Sequence, residues 1–125
     1  SLKDAVQFVI ECLKKMNGGE IFIPKIPSYR LLDLVKAFSE NPKIKIIGIR
    51  PGEKIHEEMI TTHDSPNTIE CKNFYVIYSH AKLKKDGLSR LKGKACPINY
   101  KYSSDLNKDF LTIPQLRALI KEMQQ

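Results

Sequence analysis

Arg50 and Glu53 are the residues whose types and spacing most directly suggest chemistry in this chain. They belong to the run Ile49-Arg50-Pro51-Gly52-Glu53-Lys54-Ile55-His56-Glu57. A guanidinium is a planar fork of donors that suits phosphate oxygens, and a carboxylate three residues later can accept hydrogen bonds from sugar hydroxyls. The alternative is an ordinary exposed arginine followed by a first-turn glutamate, which the dipole of a helix favours. The residues alone leave both interpretations open.

The segment that leads to Arg50 is predicted to be a β-strand. Apolar residues recur along Lys43–Ile49, and Pro51 favours extended backbone at Arg50 but cannot continue a sheet ladder. We therefore expect the strand to end at Arg50, a turn at Gly52 and a short helix over residues 53–60. In open α/β sheets ligands bind at the carboxyl ends of strands, so this arrangement would present the arginine to a ligand.

The first helix is predicted from its caps and its apolar stripe. Ser1 and Asp4 have the spacing of a capping box, and Asn17-Gly18-Gly19 should end the helix. The residues of the stripe are Leu2, Ala5, Val6, Val9, Leu13 and Met16. If this stripe packs on residues absent from the chain, the isolated piece should expose apolar surface and tend to aggregate or be partly disordered.

The elements that follow predict an α/β fold. Glu20–Pro24 reads as a strand, Ser28 as the cap of a second helix that ends at Asn41-Pro42, and Lys43–Ile49 as the next strand. Strand, helix and strand in this order predict a right-handed parallel crossover. Thr112-Ile113-Pro114 should open a final helix. The apolar side of the second helix is Leu31, Leu32, Val35 and Phe38, and that of the last is Leu116, Leu119, Ile120 and Met123.

Four segments carry a resemblance to a known family. They are Gly19–Ser28, Lys45–Lys54, Phe74–Ile77 and Tyr102–Asn107. In these segments the chain resembles the carboxyl-terminal part of the inverting UDP-N-acetylglucosamine 4,6-dehydratases, which are extended short-chain dehydrogenase/reductase enzymes. The resemblance divides the chain into a substrate-binding α/β segment over residues 1–80, a basic variable loop over 81–99, and a C-terminal tail and helix over 100–125.

The resemblance implies a function in nucleotide-sugar chemistry. Enzymes of this family bind NADP, oxidise carbon 4 of the hexose, eliminate water across carbons 5 and 6, and return the hydride to carbon 6 with inversion at carbon 5. They act at the start of pseudaminic acid synthesis for flagellin or surface polysaccharide. By motif match, Arg50 and Glu53 would contact the UDP-sugar, and Lys54 and His56 would have supporting roles. No residue of this chain matches a catalytic residue of the family, because those residues lie in the half of the enzyme that is missing here. A homo-oligomer is a further expectation from the family.

The dinucleotide-binding half of that family is not present in this sequence. The chain has 125 residues, enough for one compact domain, and its six glycines provide no G-x-x-G-x-x-G spacing. The first residue is Ser1. We therefore expect a piece of a longer enzyme, lacking the Rossmann half, inactive alone and without its own NADP site.

Tyr78 and Lys82 imitate the tyrosine-x-x-x-lysine spacing of short-chain dehydrogenases. In those enzymes the two residues share one face of a helix. Here Tyr78 ends the segment Asn73–Tyr78, whose aromatic and β-branched residues predict a strand. An extended chain would separate the two side chains, so we do not assign them a catalytic role.

The positive charge of the chain supports an alternative function. The formal net charge is +7, and Ala81–Ala95 contains six basic residues against Asp86 alone. Such a segment could make the chain a stand-alone module that binds polyanions with steep salt dependence. Nucleic acid is an unfavoured partner, because the segment lacks interleaved aromatic residues and a recognised reading motif.

The remaining composition predicts a cytoplasmic protein without a metal site. Three cysteines at unrelated spacings, Cys12, Cys71 and Cys96, are typical of reduced thiols. His56-Glu57 lacks the second histidine of an H-E-x-x-H zinc motif. No stretch approaches the ~20 apolar residues of a membrane span, and no signal peptide precedes the first helix.

Overall fold

The computed structural model describes residues 1–123, which divide into two compact units. Unit 1 comprises Ser1–Lys25 and Glu58–Tyr102, and unit 2 comprises Ile26–Glu57 and the chain from Ser103 onward. The helices are α1 (Leu2–Lys15), α2 (Leu31–Phe38), α3 (Ala81–Leu91) and α4 (Ile113–Met123); the strands are β1 (Glu20–Pro24), β2 (Glu58–Ile60), β3 (Thr68–Glu70), β4 (Phe74–Tyr78), β5 (Lys94–Ala95) and β6 (Tyr102–Ser103). A 3-10 turn, Ser65–Asn67, precedes β3. This mixture of helices and strands confirms the predicted α/β class.

The main sheet has four strands in the order β1-β4-β3-β5. All three of its strand pairs are antiparallel, with Phe22 opposite Val76 in one pair and Ile69 opposite the same valine in the next. A smaller sheet consists of β2 and β6. The predicted parallel crossover is therefore wrong, because β1 pairs with β4, a strand about fifty residues further along the chain.

Alternation along β4 gives the sheet two buried faces. Val76 and Tyr78 point to one side, where a cluster with Ile69 and Cys71 is covered by apolar residues of α3. Tyr75 lies on the opposite side with Ile23, Ile60, Cys96 and Tyr102. Successive side chains of a strand point in opposite directions, so a strand that is covered on both faces needs a continuous apolar run, as Phe74–Tyr78 has.

Gly87 allows α3 to approach the sheet closely. A methyl group built on this glycine would lie 2.0 Å from the hydroxyl oxygen of Tyr78 and 2.3 Å from its ring. Both residues are buried. The absence of a side chain at position 87 therefore determines how α3 packs over Tyr78.

A buried ion pair ties the end of α1 to α3. The Glu20 side chain is 2% exposed and accepts a hydrogen bond from Nη2 of Arg90 at 2.5 Å. The same carboxylate accepts from the backbone nitrogen of Asn17, and the guanidinium also donates to the carbonyl of Lys15. Because its oxygens have several donors, the buried charge of Glu20 is compensated.

The first helix has the predicted boundaries but leaves its apolar stripe exposed. Ser1 and Asp4 form the capping box, and α1 ends before the left-handed Gly18. No residue of α1 is buried, and Leu2 and Leu13 are more than half exposed. The structure thus has the exposed apolar surface that was expected if α1 packs on residues outside this chain.

Two elements predicted between residues 43 and 60 are wrong. Residues 43–50 form no strand, and Ile46 is 90% exposed. An extended segment becomes a strand by hydrogen bonding to a neighbour, and no strand of residues 1–123 pairs with this one. Residues 53–60 form no helix either: Gly52 and Glu53 belong to a turn and a loop, and Glu58–Ile60 is β2.

Ser28 does not cap α2. That helix begins after Arg30, and the backbone of Ser28 instead bonds to Asp109 and Leu111. The final helix begins as predicted, where the Gln115 side chain accepts from the backbone and hydroxyl of Thr112. Of the side of α4 predicted to be buried, Leu116 is buried and Met123 is largely exposed.

The segment 81–99, predicted to be a loop, contains α3 and β5. Leu83, Leu88 and Leu91 pack under α3 against the sheet, while most of its lysines lie on the outer side. Most of the predicted loop is therefore an amphipathic helix with a strongly basic outer face.

We expect Gly87→Ala to lower the free energy of unfolding by about 1 to 3 kcal/mol, because the new methyl group would overlap Tyr78. Helix propensity alone predicts the opposite sign, with alanine favoured by roughly 1 kcal/mol. Urea denaturation measures the difference. Ser89→Ala on the exposed side of the same helix is the control and should change stability little. Equal stability of Gly87→Ala and the unmodified chain would contradict the close packing.

Candidate functional site

Arg50 opens a tight turn that ends at Glu53. The backbone nitrogen of Glu53 donates to the carbonyl oxygen of Arg50 at 3.0 Å. Pro51 sets the first central position, and Gly52 has a φ of 85°, which glycine adopts without strain. The sequence Arg-Pro-Gly-Glu therefore forms the turn by local chemistry, without the predicted strand before it.

The Glu53 carboxylate holds Arg50 from one side. Its Oε1 accepts from Nε of Arg50 at 2.7 Å, and its Oε2 accepts from the backbone nitrogen of the same residue at 2.9 Å. Within residues 1–123 the two terminal nitrogens of the guanidinium have no hydrogen-bond partner, and the side chain is 75% exposed. The arrangement leaves both terminal nitrogens of the guanidinium available to an anion.

An open pocket of about 550 Å³ lies beside this turn. Its lining residues all belong to unit 2: Leu31, Ile49, Gly52, Glu53, Lys54, Ile55 and Glu57. Leu31 comes from the start of α2, and the others come from the segment 49–57, which we call the pocket loop. The pocket combines an apolar wall with one ammonium and two carboxylates.

The structure places two of the four predicted site residues in the lining of the pocket. Glu53 and Lys54 line the pocket, and Arg50 is attached to it through Glu53. His56 does not line it. The histidine lies near Asp105, whose carboxyl pKa is lowered mainly by a hydrogen bond from Ser103 and also by the charge of His56.

Sequence reasoning missed a contact at the end of the pocket loop. The backbone nitrogen of Glu57 donates to the hydroxyl of Ser104 at 3.2 Å, and the backbone nitrogen of Ser104 donates to the carbonyl of Glu57 at 2.9 Å. The segment Tyr102–Asn107 was recognised as a motif, but nothing in its residue types shows that Glu57 is its partner. The two residues are 47 positions apart.

Tyr78 and Lys82 do not form a catalytic pair. Tyr78 is the last residue of β4, and Lys82 lies in α3, so the two do not share a helix face. Burial is the largest cause that raises the pKa of the Tyr78 hydroxyl. A tyrosine that transfers protons near neutral pH needs a shift in the other direction.

Residues 1–123 contain no group of three or more His, Cys, Asp or Glu side chains placed to hold a metal ion. None of the helices in this part of the chain is both long and apolar enough to cross a membrane.

Comparison with known proteins identifies the family. A model of the polysaccharide biosynthesis protein family matches residues 1–79, which include α1, β1, the pocket loop and β4. The chain belongs to this family. Two relatives, both named UDP-N-acetylglucosamine 4,6-dehydratase (inverting), come from strains of Campylobacter jejuni subsp. jejuni and are 44% and 42% identical over 96% of the chain. The resemblance stated from the sequence is thereby confirmed.

This member of the polysaccharide biosynthesis family also resembles a solved structure over almost its whole length. The X-ray structure of Pen from Bacillus thuringiensis is 31% identical and matches 99% of the chain with a TM-score of 0.74. The match covers 36% of Pen, and the chain spans 38% of the length of the two Campylobacter relatives.

We expect Glu53→Ala to release both the side chain and the backbone amide of Arg50, because the oxygens that accept from Nε and from the backbone nitrogen are removed. The backbone amide of Arg50 should then exchange its hydrogen about 3- to 10-fold faster in NMR experiments, as for a lost hydrogen bond. Glu40→Ala is the control in the same unit, since Glu40 is exposed and pairs with Arg117 of α4. An Arg50 amide that exchanges equally in both variants would contradict the contact.

Proposed function

We propose that this chain is the nucleotide-sugar binding part of a C5-inverting UDP-N-acetylglucosamine 4,6-dehydratase. The observation that carries the proposal is the Arg50 guanidinium, held by Glu53 at Nε beside a pocket. Membership in the polysaccharide biosynthesis family and the names of the Campylobacter relatives support this ligand class.

Arg50 contacts the diphosphate of the UDP-sugar in this proposal. Its two terminal nitrogens supply parallel donors, which match phosphate oxygens better than a single ammonium does. Lys54 adds positive charge from the pocket lining. Glu53 has its strongest contacts with Arg50, and each carboxylate oxygen still has a lone pair that can accept from a sugar hydroxyl. His56 keeps the supporting role that the motif match implies, from a position outside the pocket lining.

The NADP of the parent enzyme does not fit the residues described here. A dinucleotide site needs parallel strands and a glycine-rich turn that opens a helix. The strand pairs of the four-stranded sheet among residues 1–123 are antiparallel, and the glycines lack the required spacing. We therefore assign no cofactor contact and no catalytic step to this chain, and we propose that it is inactive alone.

In the longer protein, we propose that a Rossmann half supplies NADP and the catalytic residues, and that the enzyme acts in pseudaminic acid or surface polysaccharide synthesis, including flagellin glycosylation. A homo-oligomer in the cytoplasm is part of this proposal. The free cysteines Cys12, Cys71 and Cys96 support a reducing compartment.

The alternative function is that of a polyanion-binding module. The contacts of the basic segment weaken the case for it. Lys84 donates to the carbonyl of Pro66, and Arg90 is occupied by Glu20 and Lys15. Two of the six cations that suggested this function are thus engaged within unit 1.

We expect Arg50→Ala to weaken binding of UDP-N-acetylglucosamine to the chain by about 10- to 150-fold, the loss for a bidentate charge-assisted contact. Isothermal titration calorimetry or ligand-observed NMR measures the change. Arg117→Ala is the matched control, because Arg117 lies in α4 and contacts Lys36 and Glu40.

Equal affinity of Arg50→Ala and Arg117→Ala would overturn the assignment of Arg50. A chain that ignores UDP-N-acetylglucosamine but binds heparin with a steep salt slope would favour the alternative.

A further inference from the structure

One turn makes hydrogen bonds to both sides of the pocket. We call Ser103–Asn107 the clamp turn; it is closed by a bond from the backbone nitrogen of Asn107 to the carbonyl of Ser103 at 3.1 Å. A second bond, from the Ser103 hydroxyl to Asp105 at 2.6 Å, braces it internally. The clamp turn belongs to unit 2, as the pocket does, and none of its residues lines the pocket.

At its first end, the clamp turn holds the pocket loop. Ser104 exchanges two hydrogen bonds with the backbone of Glu57, the last residue of that loop. Residues 43–50, which lead into the loop, have no strand partner in the described chain. At its carboxyl end the loop is therefore held by the Ser104 hydroxyl together with the β2–β6 pair that begins at the next residue.

At its other end, the clamp turn holds the segment that leads into α2. The Asn107 side-chain nitrogen donates to the carbonyl of Ile26 at 2.8 Å and to the hydroxyl of Ser28 at 3.0 Å. This segment carries Leu31, which forms the other wall of the pocket. The Asn107 side-chain oxygen accepts from the backbone of Asp109, so the amide is fixed on both sides.

We propose that the clamp turn sets the separation of the two pocket walls, and that Ser104 and Asn107 are positioning residues for the nucleotide-sugar. This inference rests on the proposed function. Neither residue touches the ligand; each acts by holding a wall at the distance that the ligand requires. Loss of either anchor allows the pocket to widen, and binding then has to restore the order of the loop.

The test uses the 125-residue chain with UDP-N-acetylglucosamine as the probe. Ser104→Ala removes the hydroxyl that accepts from Glu57, and Asn107→Ala removes both donors to the α2 segment. Each should lower affinity about 3- to 10-fold, the effect of one or two neutral hydrogen bonds. Ser104→Thr keeps the hydroxyl and should bind with normal affinity. Ser89→Ala, at an exposed position of α3, is a control that should leave the affinity unchanged.

Hydrogen exchange in the ligand-free chain gives a readout that is independent of binding. The Glu57 amide should exchange faster in Ser104→Ala and normally in Ser104→Thr. Unchanged exchange in Ser104→Ala, or faster exchange with unchanged affinity, would overturn the positioning role. If the unmodified chain does not bind the probe, the proposed function fails with the positioning role, while exchange at Glu57 still decides whether the clamp turn holds the loop.

Asn107→Asp provides a second variant if Asn107→Ala does not fold. It keeps the oxygen that accepts from Asp109 and loses the donors to Ile26 and Ser28. A folded Asn107→Asp chain with normal affinity would overturn the role of Asn107.

Discussion

The arrangement of this chain depends on one constraint: the backbone N–H and C=O groups of an extended segment need hydrogen-bond partners. In unit 1, β4 and β3 pair at the centre of the sheet, β1 pairs with β4, and β5 pairs with β3. Side chains of this sheet contribute to two buried clusters. In unit 2, residues 43–50 have a strand-like pattern but no strand partner among residues 1–123. The pocket loop that follows thus has no sheet partner at its amino end, while its carboxyl end is held by hydrogen bonds to Ser104 and by the β2–β6 pair.

Two arginine–glutamate pairs show how burial changes the role of the same contact. Arg90 and Glu20 meet where the carboxylate is almost fully buried, and additional backbone contacts compensate both charges. This pair is part of the packing between α1 and α3. Arg50 and Glu53 meet in solvent, where an ion pair contributes little stability. Its value is geometric, because it orients a guanidinium whose outer nitrogens stay available.

Local signals predicted the elements that depend on local chemistry. The capping box of Ser1, the bounds of β1 and the start of α4 were correct because caps and alternation act within a few residues. The basic segment was misread because its charge hid a leucine pattern, Leu83, Leu88 and Leu91, that marks the buried side of α3. Residues 43–49 were misread because the pattern of a strand does not reveal whether a partner is present.

The sequence by itself determined the turn at the candidate site and the family. Pro51 and Gly52 impose the turn, and the spacing from Arg50 to Glu53 suffices for their contact, since all the atoms involved lie within four residues. Only the tertiary structure decided what holds that turn in place. The bonds of Ser104 and Asn107 join segments 47 to 81 residues apart. Serine and asparagine can bond to any backbone group nearby, so their partners follow from the path of the whole chain.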